Sequence, residues 1–337
     1  MTVETGTGGT APGAPARDPQ QNAPQQAPQD NRPGAARGQP QVAVIGLGAM
    51  GFGMAQSLLA AGFAVTGADL SSDALARLEA GGGTAAARPA QAAAGAAVVV
   101  CVVVNADQTE AVLFGPGGVA EAMPEGAVFL SCATMDPARA RALAARLEGM
   151  GRLYLDAPIS GGAARAAKGE LTILASGRPE AFAAAEGALN AMSAKLYRLG
   201  DEAGTGAAFK MINQLLAGVH IAAACEAITF AAKQGLDLAQ VYEVITASAG
   251  NSWMFENRMP HVLAGDYTPL SAVEIFVKDL GIVQDMARTA RYPVPLAAAA
   301  LQLYLGASGA GMGRDDDSSL ARLYAGMSGV TLPGAGK

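Results

Sequence analysis

The sequence predicts an α/β fold in which a Rossmann-like, doubly wound parallel sheet is followed by an all-helical C-terminal domain, the two joined by a long helix. Three observations predict it. From Gln41 to about Leu199, short β-branched runs alternate with Ala- and Leu-rich segments of helical period. Some of these runs, Val98–Val104 above all, are apolar without interruption, as strands covered on both faces of a parallel sheet are. After Gly200 the strand signal largely stops and helical periodicity takes over.

Residues 1–40 contain no Leu, Ile, Phe, Tyr or Trp, yet hold seven of the 18 prolines with many Gln, Gly and Ala. Such a segment cannot bury enough apolar surface to offset its ordering entropy, so it reads as a disordered extension. It has neither the apolar core of a secretory signal nor the pattern of a transit peptide. Strands are expected at Val42–Ile45, Phe63–Ala68, Val98–Val104, Val128–Ser131, Arg152–Leu155, Leu171–Ala175 and Lys195–Leu199, within a dinucleotide-binding domain over residues 41–203. An all-helical domain over residues 204–330 opens with a helix from about 204 to 234, roughly 45 Å long at 1.5 Å per residue. Further helices are expected over Leu238–Ser248, Trp253–Ala264, Ala272–Ala290, Leu296–Leu305 and Ser318–Gly326. The longest uncharged run, Tyr292 to Gly313, is broken by Pro293, Pro295 and glycines, and reads as a buried helix rather than a membrane span.

Composition narrows the chemistry. A net charge of −6 with no Lys/Arg cluster excludes a nucleic-acid or anionic-membrane surface, which needs concentrated positive charge, and leaves a small molecule as partner. Cys101, Cys132 and Cys225 are odd in number and far apart, which fits buried reduced thiols of a cytoplasmic protein rather than disulfides or a CxxC metal site. With only two histidines, His220 and His261, neither a clustered zinc site nor a Ser–His–Asp triad is supported, and no metal is expected. No tyrosine has a lysine four positions on, so the short-chain dehydrogenase pair is absent.

Gly46-Leu47-Gly48-Ala49-Met50-Gly51 follows the first strand and opens a helix. Gly46 permits a tight turn, Gly48 lets the backbone approach a pyrophosphate, and Gly51 allows close packing of helix on strand. The pyrophosphate would lie on N–H groups at the helix N-terminus. The confirming context is present, with Asp69 ending the second strand 18 residues beyond Gly51. A carboxylate there accepts hydrogen bonds from a ribose 2′-OH and repels a 2′-phosphate, favouring NAD over NADP; Asp69 as a helix cap is the alternative.

Three further segments stand out. Asp156-Ala157-Pro158-Ile159-Ser160-Gly161-Gly162 lies just past a strand end, where open α/β sheets bind ligands, and reads equally as a turn or as backbone N–H groups offered to a carboxylate. Lys210 is followed by 15 uncharged residues. It is either a solvated lysine at a helix start or one whose pKa burial lowers until it exchanges a proton with a substrate hydroxyl. Gln214, four residues on, shares its helix face. Lys278 lies in Phe276-Val277-Lys278-Asp279-Leu280-Gly281, another lysine in an apolar helix, or a surface Lys–Asp face.

In this order the four motifs resemble the β-hydroxyacid dehydrogenase family, over about residues 41–325. The resemblance implies Lys210 as catalytic acid/base, Ser160, Gly161 and Gly162 as holders of the substrate carboxylate, and Lys278 at the nicotinamide end of NAD. It also assigns cofactor contacts to Thr134, in Ser131-Cys132-Ala133-Thr134-Met135-Asp136-Pro137, and to Asn105. Gln214 and Arg165 depart from the pattern of 3-hydroxyisobutyrate enzymes. Gln214–Ile221, Gly250–Met259 and Gly265–Pro269 are instead similar to the L-threonate dehydrogenase branch, which oxidises C2 of a four-carbon sugar acid to 2-oxo-tetronate. Gln214, Asn251, Ser252 and His220 would suit a substrate with several hydroxyls, although His220 reads more readily as packing than as a catalyst, and Trp253–Phe255 equally as helix core or domain interface and as pocket wall. A 3-hydroxyisobutyrate or tartronate semialdehyde type enzyme, and a dinucleotide-sensing protein without catalysis, are the alternatives. The Ala-rich helical half is expected to form a homodimer or homotetramer.

Overall fold

A computed structural model describes residues 41–334, so the expectation for residues 1–40 lies outside the described residues. The chain begins β1 (Val42–Ile45), α1 (Ala49–Ala60), β2 (Val65–Ala68), α2 (Ser72–Ala80), β3 (Thr84–Ala85), α3 (Pro89–Ala93) and β4 (Val98–Cys101). It continues with α4 (Ala106–Phe114), α5 (Val119–Ala122), β5 (Val128–Ser131), α6 (Pro137–Glu148) and β6 (Leu153–Asp156). Then come β7 (Ile159–Ser160), α7 (Gly162–Ala167), β8 (Leu171–Ala175), α8 (Pro179–Met192) and β9 (Ser193–Arg198). The remainder is helical: α9 (Thr205–Lys233), α10 (Leu238–Thr246), α11 (Trp253–Ala264), α12 (Val273–Ala290), α13 (Pro295–Ala307) and α14 (Leu320–Ser328).

Six parallel strands form one sheet in the order β3-β2-β1-β4-β5-β6. Successive side chains of a strand point to opposite faces, and both faces here are buried. Val42, Val44, Val98, Val100, Val128 and Leu130 pack against Met54 and Leu58 of α1 and Phe182 and Leu189 of α8. Ala43, Ile45, Val99, Cys101, Phe129 and Tyr154 pack on the other side against α3, α5 and α6. The order reverses direction between β1 and β4, so a crevice forms at the carboxyl ends of the strands, where the loops after β1, β2, β4, β5 and β6 converge.

Two details differ from the sequence reading. The Val98–Val104 run stops being strand at Cys101: the Val102 N–H still bonds the Ile45 carbonyl, and the chain then bends at Val104 and Asn105 into α4. And β8 and β9 leave the large sheet, forming with β7 a second sheet in which β7 is antiparallel to β8 and β8 parallel to β9. Their burial explains it. Leu171–Ala175 is buried only at alternate positions and Ser193–Arg198 is largely exposed, so neither could occupy a sheet covered on both faces.

In the helical half, the 29-residue α9 is the axis against which α11, α12, α13 and α14 pack. It is long and apolar enough to cross a membrane by length and composition, and half of that stretch is buried inside the fold. A Cβ on Gly218 would stand 3.0 Å from Phe276 and Leu280, so α9 and α12 approach closely there. Phe276 stacks on Tyr304 at 5.1 Å between ring centroids. Cys101, Cys132 and Cys225 are all buried and unbridged, as expected.

Candidate active site

The turn after β1 is built by close contacts that only glycine allows. Gly46 has φ +90°, and a Cβ there would stand 2.5 Å from the Val102 carbonyl oxygen; one on Gly51 would stand 1.9 Å from the Gly46 oxygen. Gly48 differs, since a Cβ there would meet no atom of the described residues within 4 Å. Packing therefore explains Gly46 and Gly51, whereas at Gly48 the backbone is open toward the crevice. Gly48 and Ala49 are exposed and Met50 half-buried, whereas the Leu47 side chain is fully buried, so Leu47 faces the crevice only with its backbone. The N-terminus of α1 carries no side-chain cap and no acidic residue in its first turn, which leaves its N–H groups and dipole available to an anion.

Asp69 stands beside this turn. Its Oδ2 accepts the Leu47 N–H at 2.6 Å and its Oδ1 the Ser71 N–H at 2.7 Å. A carboxylate has about four acceptor sites, so capacity for a ribose diol remains. The residues present thus fit a dinucleotide, with a negative charge where NADP would place its 2′-phosphate. Asn105 caps α4 through Oδ1, which accepts the Gln108 N–H at 2.9 Å.

The Ser160-Gly161-Gly162 segment follows β6. Gly161 has φ +137° and Gly162 φ +80°, backbone conformations in which a side chain would be strained, and Gly162 is open to space. The helix it opens, α7, packs on α1 at Gly53, where a Cβ would stand 2.7 Å from the Ala167 nitrogen. Gly53 lies outside the GxGxxG spacing, so the motif does not mark it; its signal is a further small residue in the first turns of the same helix.

Lys210 enters from the second turn of α9. It is buried, with 8% of its surface exposed, and burial lowers its pKa from 10.5 to about 8; Asp279 opposes that drop and Lys278 adds to it. Asp279 is fully buried and bridges two helices, accepting Gln214 Nε2 on Oδ2 at 2.5 Å and Lys278 Nζ on Oδ1 at 2.5 Å. Lys278 Nζ also lies 3.4 Å from the Thr134 carbonyl oxygen, tying α12 to the loop after β5. Lys210, Gln214, Lys278 and Thr134 are therefore brought together, with Asp279 as the residue sequence reasoning missed. Gln214 is not a free donor, since its amide also accepts Asn213 Nδ2 at 3.0 Å while donating to Asp279.

Asn251 and Ser252 do not join this group, contrary to expectation. Asn251 Nδ2 donates to the Thr246 carbonyl at 3.1 Å and to Glu256 Oε1 at 2.5 Å, and Ser252 caps α11 by accepting the Phe255 N–H at 3.0 Å. The Asn251 amide nitrogen and the Ser252 hydroxyl close the α10–α11 turn, while Asn251 Oδ1 is buried without a hydrogen-bond partner among the described residues. Both residues line, with His220, Phe230 and Val244, an apolar groove of about 840 Å³ that includes neither Lys210 nor the glycine turn. His220 is ten residues along α9 from Lys210, about 15 Å at 1.5 Å per residue.

Residues 41–200 match the family model of the NAD binding domain of 6-phosphogluconate dehydrogenase, and residues 204–324 that of the NAD-binding of NADP-dependent 3-hydroxyisobutyrate dehydrogenase. The L-threonate dehydrogenase of Cupriavidus necator is 55% identical over 293 residues, covering 87% of this chain and 98% of that protein. That of Escherichia coli K12 is 48% identical over 295 residues, covering 87% and 97%. Among solved structures, a 3-hydroxyisobutyrate dehydrogenase from Salmonella typhimurium superposes with a TM-score of 0.81 at 48% identity, over 85% of this chain and 100% of its own. Similarity of this degree, spanning nearly the whole length of each relative, shows that the chain belongs to the β-hydroxyacid dehydrogenase family and is an NAD-dependent hydroxyacid dehydrogenase.

Proposed function

We propose that the chain oxidises the C2 hydroxyl of L-threonate to 2-oxo-tetronate. The chemistry is carried by one observation, the burial of Lys210 close to Asp279 and Lys278, the latter reaching the loop after β5; that burial lowers the Lys210 pKa to about 8. The substrate is supported by the relatives named L-threonate dehydrogenase, at 47–55% identity. In this reading the backbone at Ser160, Gly161 and Gly162 receives the substrate carboxylate. Neutral Lys210 takes the C2 hydroxyl proton and becomes an ammonium, whose charge offsets that of the developing alkoxide. Asp279 and Lys278 fix the electrostatic surroundings of that ammonium, and Gln214 holds Asp279 in place. NAD, when bound, supplies the two-electron oxidation by accepting the C2 hydride. Gly46 to Gly51 and Asp69 would hold its pyrophosphate and adenosine ribose, Asn105 would lie in the loop on the pyrophosphate side, Thr134 would contact the cofactor from the loop after β5, and Lys278 would lie at the nicotinamide end.

Lys210→Ala tests the chemistry: turnover is lost while NAD binding persists. A panel of C3–C5 hydroxy acids with NAD and NADP tests the substrate, with L-threonate and NAD expected to lead. A clear preference for 3-hydroxyisobutyrate would favour the second reading, supported by the name of the Salmonella structure. We infer further a cytoplasmic homodimer or homotetramer. What supports association is α10, an amphipathic helix none of whose residues is buried in the single chain, beside exposed Phe230, Val244 and Trp253. Sedimentation of the purified chain checks it, a monomer being the contrary result.

A further inference from the structure

Asp156 ends β6 with a fully buried carboxylate that has no part in the chemistry above. Its Oδ2 accepts the Gly204 N–H at 2.9 Å and the Ala207 N–H at 2.7 Å. Ser176, paired with it through an isolated antiparallel bridge, accepts the Gly206 N–H on Oγ at 2.9 Å. The first turn of α9 has no cap of its own, since its N-cap residue is Gly204. It is capped instead by residues at the ends of two strands belonging to two different sheets. The fit is close: a Cβ on Gly206 would stand 2.3 Å from the Leu174 oxygen, and one on Gly204 2.8 Å from the Pro137 oxygen. A buried anion at a helix N-terminus engages both its free N–H groups and its dipole.

The amide that Asp156 holds on Ala207 lies one turn before Lys210, and Ala207, Lys210, Met211 and Gln214 form the buried stripe of this stretch. Any rotation or fraying of that turn therefore moves Lys210. Asp156 does not act on Lys210 by charge; the groups that do are Asp279 and Lys278 of α12. Asp156 itself faces Ser176, Tyr154 and Arg141, and burial raises its carboxyl to about 6 against the pull of the two N–H groups.

We propose that Asp156 is a positioning residue for Lys210, fastening the first turn of α9 to the end of β6 and so fixing where the Lys210 amine stands. The proposal rests on the functional reading above only for the role given to Lys210. It is tested in the full chain with Asp156→Ala, Asp156→Asn and Asp156→Glu. The readouts are kcat and KM for L-threonate and NAD, and the titration of Lys210 by NMR of ¹³C-methylated lysines, assigned with Lys210→Arg. Asp156→Ala is expected to lower kcat about 30-fold with KM for NAD within about twofold, and to move the Lys210 titration up by about a unit or more toward 10.5. Asp156→Asn keeps an acceptor for both N–H groups and is expected to restore kcat to within about threefold and the titration to about 8. If Asp156→Ala does not fold, Asp156→Glu decides: its longer side chain displaces the cap and is expected to lower kcat about tenfold with NAD affinity kept. A Lys210 titration unmoved in folded Asp156→Ala, or parental kcat in Asp156→Glu, would overturn the proposal. If the parent chain oxidises none of the acids, the functional reading fails by itself, and the Lys210 titration in the variants still decides this one.

Discussion

Lys210 illustrates how far a single side chain's role can be read before the fold is known. Its isolation at the head of a long uncharged run was visible in the sequence, and so was its shared face with Gln214. Asp279 was not. It adjoins Lys278 in the chain, and neighbours at i and i+1 do not face each other along a helix, so the pair reads as surface decoration. Only the packing of α12 on α9 turns Asp279 inward and lets Lys278 reach back to it. Oxidation requires neutral Lys210, so kcat/KM for the hydroxy acid is expected to rise with pH through about 8, and the reverse reduction, which needs the ammonium, to fall through the same range. Asp279 favours the charged form of Lys210. Asp279→Asn is therefore expected to move that rise to lower pH, and a rise left near 8 would separate Asp279 from the titration. The same burial has a stability consequence. A lysine held at about 8 instead of 10.5 binds its proton less well folded than unfolded, a penalty of about 3 kcal/mol on the folded chain below pH 8 that fades as pH approaches 10.5. Lys210→Met is thus expected to abolish turnover yet raise the unfolding temperature at pH 7, with the gain shrinking by pH 10.

The elements were legible wherever burial was on both faces or where helical period ran long. Val42–Ile45, Val128–Ser131 and Trp253–Ala264 coincide with β1, β5 and α11, and the long helix expected over 204–234 is α9. The second sheet was not legible as separate. Its strands β8 and β9 carry ordinary strand composition, and what distinguishes them is one-sided burial, which depends on what lies above them. The two-residue strands β3 and β7 are too short to have a period at all. The glycine turn allows a paired test of what each glycine does. Gly51→Ala places a methyl 1.9 Å from the Gly46 oxygen, with the Gly46 backbone on one side and the Val102 Cβ at 3.2 Å on the other, so a thermal melt is expected to show severe destabilisation. Gly48→Ala meets no atom of the described residues within 4 Å and is expected to leave the melt unchanged while weakening NAD at least about tenfold, which is about 1.4 kcal/mol, by titration. Equal NAD affinity in Gly48→Ala would mean that the open backbone at this position is not where the pyrophosphate rests.

At the scale of the whole molecule, the helical half is held by a buried ionic cluster that local sequence does not announce. Asp315-Asp316-Asp317 is a run of three carboxylates, yet Asp316 and Asp317 are fully buried, and the partner that makes this possible, Arg258 in α11, is 59 residues before Asp317. Arg258 grips Asp317 with both arms, Nε to Oδ1 at 2.6 Å and one terminal nitrogen to Oδ2 at 3.1 Å. Asp316 meanwhile accepts the Leu270 and Ser318 N–H groups at 2.9 and 3.0 Å, closing the loop before α14 onto the segment before α12. Burial pushes the Asp317 carboxyl up and the Arg258 hydrogen bonds pull it back. Removing one partner of such a pair leaves a charge in the interior with no compensation, so Arg258→Ala is expected to destabilise the chain by about 3–5 kcal/mol at pH 7. With Arg258 gone the folded-state pKa of Asp317 rises further above its unfolded value, so the deficit is largest above that pKa and shrinks as the pH falls and the carboxyl takes up a proton. Replacing both partners, Arg258→Met with Asp317→Asn, removes the Asp317 charge but leaves that of Asp316, 4.0 Å from Arg258 Nε in the parent, and is expected to recover part of the loss. Neither residue touches the Lys210, Gln214, Lys278 and Asp279 group. Below its melting temperature Arg258→Ala should therefore keep the parental kcat and the rise of rate through pH 8, measured beside the melt on the same sample. A variant that melts as the parent does would show that the pair contributes nothing to the stability of the helical half, whereas one that loses kcat while folded would show that this cluster reaches the active site.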